Sequence, residues 1–195
     1  MIENGIDILI PKEIDYLKKL EPEYSIYLSE GLALSYLASK AQTIVEIGSD
    51  RGRSACFMAA GNKNAEVFCV DTWDLRPAYI DDGHGFEINY QNTEYRATFD
   101  KQTEPFKDRI HPIKDYSTSV AQKWTKPIDL LFIDADHGKA LEDYTAWYPH
   151  VVKGGVIAFH DTDMAAVRMA IKYIKEKLQM AGWTTINRLV YAIKK

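Results

Sequence analysis

An open, doubly wound α/β domain is predicted for this chain of 195 residues, with a mostly parallel seven-stranded sheet, an antiparallel last strand and helices on both faces. Three observations predict it. Short apolar runs alternate with helical ones along the chain, the pattern of successive βαβ units. Five of those runs end at Gly48, Asp71, Asp115, Asp134 and Asp161, and an open α/β sheet gathers its ligand beyond the carboxyl ends of its strands. Two final short runs, joined only by Asn187-Arg188, read as a closing hairpin.

The first strand is Thr43-Ile-Val-Glu46-Ile47, β-branched and apolar enough to be covered on both faces. It breaks at Gly48, turns through Ser49-Asp50-Arg51-Gly52 and enters a small-residue helix from Ser54 to Ala60. A strand that turns through glycines into a helix N-terminus brings bare backbone N–H groups up to a ligand. The second strand, Ala65 to Val70, ends at Asp71, roughly twenty residues beyond the turn, where a nucleotide-binding unit places a carboxylate for a ribose diol. Arg109 to Lys114 ends at Asp115-Tyr116-Ser117, Ile128 to Ile133 at Asp134-Ala-Asp136-His137, and Gly155 to Phe159 at His160-Asp161-Thr162. Any one of these acids also suits a turn or a cap. Five beside a glycine turn define a crevice.

Met164, Val167, Ile171, Ile174 and Leu178 recur at three- and four-residue steps, the apolar face of a helix. Asp161, Thr162 or Asp163 is expected to cap its start and Gly182 to end it. The hairpin follows as Trp183 to Ile186 and Leu189 to Ile193. At the other end, residues 1–40, with Tyr16, Leu17, Leu20 and an apolar helix from Leu28 to Leu37, read as a helical cap. It serves as a crevice wall, as packing or as a homodimer contact. Residues 74–107 are long for a connection and are expected to form a lid. They carry Gly83-His84-Gly85, the aromatic Tyr79, Phe86, Tyr90 and Tyr95, and a helix-like stretch from Glu94 to Thr103.

Composition bounds the function. The chain is 46% hydrophobic and 27% charged, ordinary for one globular domain over residues 1–195. A net charge of −4 opposes a nucleic-acid backbone as main partner. No apolar run approaches the ~20 residues a bilayer needs. Met1-Ile-Glu-Asn-Gly lacks the features of a signal peptide, and Cys56 and Cys69 sit in apolar elements as free thiols. A cytoplasmic setting is therefore expected.

The turn also narrows the cofactor. A dinucleotide fingerprint needs a middle glycine against the pyrophosphate, and here that place is Asp50, which repels phosphate. The cofactor should carry no phosphate at this turn and should tolerate or prefer positive charge. An NAD(P)-binding oxidoreductase is the alternative, opposed by Asp50 and by the expectation that no Tyr-x-x-x-Lys catalytic pair is present.

The array Glu46-x-Gly48-x-x-x-Gly52 resembles motif I of class I S-adenosylmethionine (SAM)-dependent methyltransferases, with Asp50 departing from its widest form. From about Tyr27 onward the chain looks like a small member of that class. It is most similar to the O-methyltransferase-like branch that acts on catechols, caffeoyl-CoA and macrolide sugars. The strongest match runs from Ile128-Asp-Leu-Leu-Phe-Ile-Asp134-Ala-Asp136-His137 through Tyr144-x-x-Trp147 to Lys153-Gly-Gly-Val-Ile-Ala-Phe-His160-Asp161-Thr162. The closing hairpin also fits that class.

The resemblance implies a SAM site. Glu46, Gly48, Ser49 and Gly52 would hold the methionyl end, Asp71 the ribose, and Trp73, Tyr116 and Ser117 the adenine, with Ser54, Thr72, Asp115 and Asp134 completing the cofactor set. In metal-dependent members the acid ending the fourth strand and an Asp-Asn pair ending the fifth bind a divalent cation. Asp134 and Asp161 match those acids, and Thr162 replaces the asparagine with a weaker oxygen donor for Mg²⁺. Asp161 as a helix cap and Asp134 as a cofactor-orienting group are the competing roles. His137, with Asp134, is the candidate catalytic group, as a general base near neutral pH. His160 is the other histidine at the strand ends. No Asn/Asp-Pro-Pro-aromatic or Pro-Cys signature of nucleic-acid methylation occurs. The expected reaction is O-methylation of a small-molecule acceptor, with a non-catalytic SAM-fold partner protein as the second alternative.

Overall fold

The computed structural model describes residues 15–20, 25–73, 94–177 and 180–195. Its seven strands are β1 (Thr43–Ile47), β2 (Glu66–Asp71), β3 (Ile110–Lys114), β4 (Ile128–Ile133), β5 (Val151–Phe159), β6 (Met180–Ile186) and β7 (Leu189–Lys194). They form one sheet in the order β3-β2-β1-β4-β5-β7-β6. Strands β1 to β5 pair in parallel, while β7 runs antiparallel to both β5 and β6. The chain builds outward from β1 in one direction and resumes at β4 in the other, so the switch point lies between β1 and β4. Ligands of open α/β sheets bind at such a point.

Alternation along each strand explains why both faces are covered. In β1, Ile44 joins one core and Val45 and Ile47 the other; in β4, Leu130 and Phe132 oppose Leu131 and Ile133. A side-chain period of two sends successive apolar residues to opposite faces. On the first face lie α1 (Leu28–Ala38), α2 (Arg53–Gly61) and α3 (Glu94–Thr103). On the second lie α4 (Ser117–Lys123), α5 (Ala140–Trp147) and α6 (Ala165–Lys177).

The strands that make the crevice stop together. Ile47 pairs with Val70 and Ile133, Ile133 with Phe159, and Phe159 with Val190. The next residues, Gly48, Asp71, Asp134 and His160, therefore stand along one edge. Backbone bonds continue to that line, with Gly48 N–H donating to Val70 O (2.9 Å), Asp134 N–H to Ile47 O (2.8 Å) and His160 N–H to Ile133 O (3.1 Å).

The helix after β5 differs from expectation. It ends at Lys177, and Gly182 lies inside β6 with φ +65°, where the pairing with β7 shifts register between Ala181 and Thr184. Gly182 marks a strand irregularity, not a helix stop. Met164 precedes the helix and is 41% exposed, so the apolar face is Val167, Ala170, Ile171 and Ile174; Leu178 lies outside the described residues. Within the expected lid, residues 74–93 also lie outside them. The remainder is α3 and the turn Glu104–Phe106, whose Phe99, Gln102, Thr103 and Phe106 are buried. Residues 1–14 and 21–24 of the expected cap are likewise outside; α1 packs on α2.

Gly48 adopts φ +84°, and a Cβ there would meet the Asp134 carbonyl oxygen at 2.2 Å. Gly154 shares the conformation, φ +82°, but has nothing within 4 Å. Gly154→Ala should therefore cost only the left-handed backbone penalty, about 1–2 kcal/mol. Gly48→Ala should add about 1–3 kcal/mol of forced displacement. Urea unfolding of the two variants checks the difference, and equal costs would deny the close approach.

Candidate functional site

Two clusters meet at the switch point. The first is the turn between β1 and α2. Gly52 is the N-cap of α2 and carries φ +84°; a Cβ on it would press Phe99 and Thr103 of α3 at under 3 Å. The two glycines are thus required by protein packing on both sides of the turn. Asp71 clasps the turn from the end of β2. Its Oδ2 accepts from Ser49 N–H (2.7 Å) and Asp50 N–H (2.9 Å), and its Oδ1 from Trp73 N–H (2.8 Å). Trp73 Nε1 donates to Asp50 O at 2.9 Å.

The Trp73 ring is only 6% exposed. It lies edge-on to Phe99, with the Arg96 guanidinium 4.7 Å from its centroid. Trp73 is therefore packed beneath the turn, where the expectation was an open face for adenine. Thr72, half-buried, follows Asp71 out of β2.

Glu46 is the buried acid of this cluster, fully enclosed on the face toward α2. Ser54 Oγ donates to its Oε1. Its Oε2 and the buried Ser49 Oγ have no hydrogen-bond partner among the described residues. Burial pushes the Glu46 carboxyl up to about 7, against its hydroxyl and thiol neighbours and with help from Asp134. An acceptor left this way in the interior carries a large desolvation penalty until a donor arrives. Asp50 is raised too, by burial first, and Asp71 and Asp134 add to the effect.

The second cluster stands at the ends of β4 and β5. His137 Nε2 lies 2.7 Å from Asp161 Oδ2, and Arg188 Nη1 donates to Asp161 Oδ1 at 2.9 Å. His160, 2% exposed, has Nε2 3.1 Å from Glu30 Oε2. Its Nδ1 is 3.3 Å from Asp134 Oδ1 and 3.2 Å from Asp161 Oδ1. Burial opposes its charge, but Asp134, Asp161 and Glu30 overcome that and lift His160 to about 11. Burial acts to raise Asp161 as well, yet bonds with His137 and His160 hold it well below the carboxylate range. Burial dominates at Asp134, whose carboxyl is raised. The bond to Asp161 raises His137.

The four non-glycine residues with positive φ among the described residues are Asp50, Trp73, Asp161 and Asn187. All four border these clusters. Each costs about 1–2 kcal/mol, a cost that gathers at functional sites.

Several expected residues stand elsewhere. Ser117 Oγ accepts from Trp147 Nε1 at 2.9 Å, so its side chain is turned to α5 and not to an adenine edge. Asp115 Oδ1 accepts from Tyr116 N–H (2.7 Å), and Tyr116 is 54% exposed as the N-cap of α4. The three possible ligands that converge are Asp134, His160 and Asp161, their donor atoms within 4.8 Å of one another. The Thr162 N–H donates to Arg188 O at 3.1 Å.

That donor set does not fit Mg²⁺. A hard cation wants oxygens, whereas here the His160 imidazole lies between the two carboxylates and both Asp161 oxygens are already engaged, one by His137 and one by Arg188. The Tyr-x-x-x-Lys spacing does occur, at Tyr36–Lys40, Tyr173–Lys177 and Tyr191–Lys195. In the first, Lys40 Nζ donates to Tyr36 Oη (3.0 Å) beyond the end of α1, on the side where β1 begins. In the second, Tyr173 is exposed on α6. The third runs along β7 away from the crevice edge, with Lys195 beyond its far end, so none of the three pairs is at the crevice.

Sequence reasoning missed Glu30 and Arg188. Glu30 is a lone acid in an apolar helix, fully buried, and such a residue signals a partner. Its Oε2 accepts from Tyr27 N–H (2.7 Å) and its Oε1 from Arg188 N–H (2.8 Å). Burial works to raise this carboxyl, and the bonds from His160, Tyr27 and Arg188 outweigh it and hold it low. Arg188 carries no signal, since a hairpin-tip arginine is ordinarily solvated.

The sequence model of the methyltransferase domain matches residues 45–162, more than half of the chain, and the chain belongs to that family. Its fold is the class I SAM-dependent, O-methyltransferase-like one. The uncharacterized protein y4gI of Sinorhizobium fredii is 28% identical over 135 residues, which make up 65% of this chain and 14% of that protein. The chain therefore spans only a small part of that relative's length. An O-methyltransferase from Bacillus cereus, solved with S-adenosylhomocysteine, superposes with TM-score 0.69 at 16% identity, covering 100% of both chains. The O-methyltransferase TomG from Streptomyces achromogenes, solved with SAM, gives TM-score 0.66 at 12% identity over 96% of this chain and 92% of that one.

A histidine lifted to about 11 should show no titration from about pH 6 to about pH 9, where an ordinary imidazole loses its proton. Nitrogen-15 NMR of the imidazole checks this. Because the folded value is the higher one, the stability His160 contributes is complete below about pH 6.5. It drains as the pH rises toward about 11. A proton lost near pH 7 would contradict the buried ionic cluster.

Proposed function

We propose that this chain binds SAM and methylates an oxygen of a small-molecule acceptor. The observation that carries the cofactor assignment is the pair of unpartnered buried acceptors at the glycine turn, Glu46 Oε2 and Ser49 Oγ. They flank Gly48, Glu46 two residues before it and Ser49 one residue after it. An ammonium group answers both, and it relieves the penalty that raises Glu46 to about 7. A pyrophosphate does not, because Glu46, Asp50, Asp71 and Asp134 make the surroundings acidic. In this reading Glu46, Ser49 and the turn hold the methionyl end. Asp71 offers its remaining lone pairs to ribose, and its three backbone bonds keep it aimed along the crevice edge.

Bound, SAM supplies a sulfonium methyl group whose bonding pair stays on sulfur as the methyl leaves. The chain's own residues must align the acceptor and take its proton. His137 is suited to that proton. Asp161 engages Nε2 at 2.7 Å, which fixes the tautomer and leaves Nδ1 as the acceptor atom. Asp134 stands between the two clusters and orients His160. The acidic surface and the absence of nucleic-acid methylation signatures favour a small hydroxyl compound as acceptor.

No helix among the described residues is long and apolar enough to cross a membrane. The two cysteines are buried free thiols, which supports a reducing, cytoplasmic setting. A homodimer through the cap helix belongs to the same reading.

Calorimetry should show S-adenosylhomocysteine binding and no NADH binding. Since the ionised Glu46 carboxylate attracts the ammonium, affinity should fall as pH drops through about 7, approaching about tenfold per pH unit. Glu46→Gln should bind roughly 10- to 100-fold more weakly and lose that pH step. Tight, pH-independent binding by the variant would sink the assignment.

His137→Gln should bind the cofactor normally and lose about 10²- to 10⁴-fold in turnover. In the wild type, the rate should rise with pH through a value above that of a free imidazole. A screen with labelled SAM over phenols, catechols and glycosides, against tRNA, DNA and protein, tests the acceptor class. Incorporation only into the macromolecules would overturn it.

A further inference from the structure

The end of β5 holds a cation that belongs to the protein itself. Arg188 sits in the two-residue turn between β6 and β7, and several contacts fix that turn over the crevice. Asn187, at φ +51°, donates from Nδ2 to Ser29 Oγ at 2.7 Å. The Arg188 N–H donates to the buried Glu30 Oε1 (2.8 Å), and its carbonyl accepts from Thr162 N–H (3.1 Å). The guanidinium donates from Nη1 to Asp161 Oδ1 (2.9 Å) and from Nη2 to Ser25 O (3.2 Å), with its centre 4.8 Å from the Tyr27 ring centroid. Ring, carbonyl and carboxylate thus receive one planar group from different sides, a geometry an arginine fits and a lysine does not.

The carboxylates around it are all engaged. Three carboxylates, Glu30, Asp134 and Asp161, face His137, His160 and Arg188. Asp161 has one oxygen on His137 and the other on Arg188. A divalent ion between Asp134 and Asp161 would have to displace a guanidinium that cannot lose its proton and would approach an imidazole held among carboxylates.

The geometry points to Arg188 as a built-in cation that stands in for a divalent metal at the β4–β5 strand ends. It excludes the ion and positions the Asp161–His137 pair. Its metal-excluding part rests on the geometry alone; its catalytic consequence rests on the methyl-transfer reading above. Arg188 is a positioning residue, acting through Asp161.

The test is Mn²⁺ binding to the full chain, followed by electron paramagnetic resonance, which needs neither SAM nor an acceptor. Wild type should show no stoichiometric site up to millimolar Mn²⁺. Arg188→Gln removes the guanidinium charge from Asp161 Oδ1, leaving only His160 Nδ1 beside that oxygen, so it should bind Mn²⁺ about tenfold or more tightly than wild type. Arg188→Lys keeps the charge, so it should stay close to wild type, and it serves if the glutamine variant does not fold: an Mn²⁺ site in the lysine variant as tight as a carboxylate pair gives would count against the proposal. Equal Mn²⁺ affinity in wild type and a folded Arg188→Gln, whether tight or undetectable, would overturn it. So would an ion bound by wild type and lost in Asp161→Asn. Once an acceptor is known, turnover indifferent to chelator, with kcat reduced more than KM is raised in Arg188→Gln and partly restored in Arg188→Lys, is the expected companion result. Loss of S-adenosylhomocysteine binding would fault the cofactor assignment and leave the metal result standing.

Discussion

The carbonyl of Asp134 stands where a side chain on residue 48 would have to go, at 2.2 Å from an ideal Cβ, and the crevice is organised around that contact. β1 and β4 are adjacent parallel strands at the point where the chain reverses its direction of growth across the sheet. Their ends meet only because residue 48 has no Cβ and can take φ +84°. From there the turn must bend toward β2, where the Asp71 carboxylate gathers its N–H groups. The glycines of the motif are thus demanded by the protein before any ligand is considered. A ligand then meets a backbone already fixed in place, which lowers the ordering cost of binding.

Charge buried at the strand ends sets the second constraint. A carboxylate or imidazolium taken out of water is costly unless paired. The structure pairs Glu30, Asp134 and Asp161 with His137, His160 and Arg188 and draws the partners from four separate parts of the chain. The result ties α1, β4, β5 and the β6–β7 turn into one unit. At the glycine turn, by contrast, Glu46 and Ser49 are left with acceptors unmatched. The charge-paired cluster is a scaffold; in the proposed reading the glycine turn is where a cationic group binds.

Most of the fold was legible from Thr43 to Phe159. The runs Thr43–Ile47 and Ile128–Ile133 are short, β-branched and apolar on both faces, and the structure has strands over those same residues. Their alternation was readable because a period of two is a local property. The end of α6 was misread at Gly182 because a glycine with positive φ serves a helix stop and a strand irregularity equally well. Only the pairing partner, β7, distinguishes them. Trp73 was expected against a ligand and is packed on Phe99 and Arg96, since an aromatic side chain carries no local mark of which surface it will bury.

By itself the sequence determined which residues end the strands, and so which acids, glycines and histidines share the crevice edge. That follows from hydrophobic patterning and turn chemistry, both of which act between near neighbours. The tertiary structure alone decided how those groups pair. His160 joins Asp134 and Asp161, and Glu30 and Arg188 arrive from positions 158 residues apart to meet each other at 2.8 Å. Such pairing depends on which helix packs on which face and on how a hairpin tip folds back. Those outcomes are set by the whole core together, and no segment carries them alone.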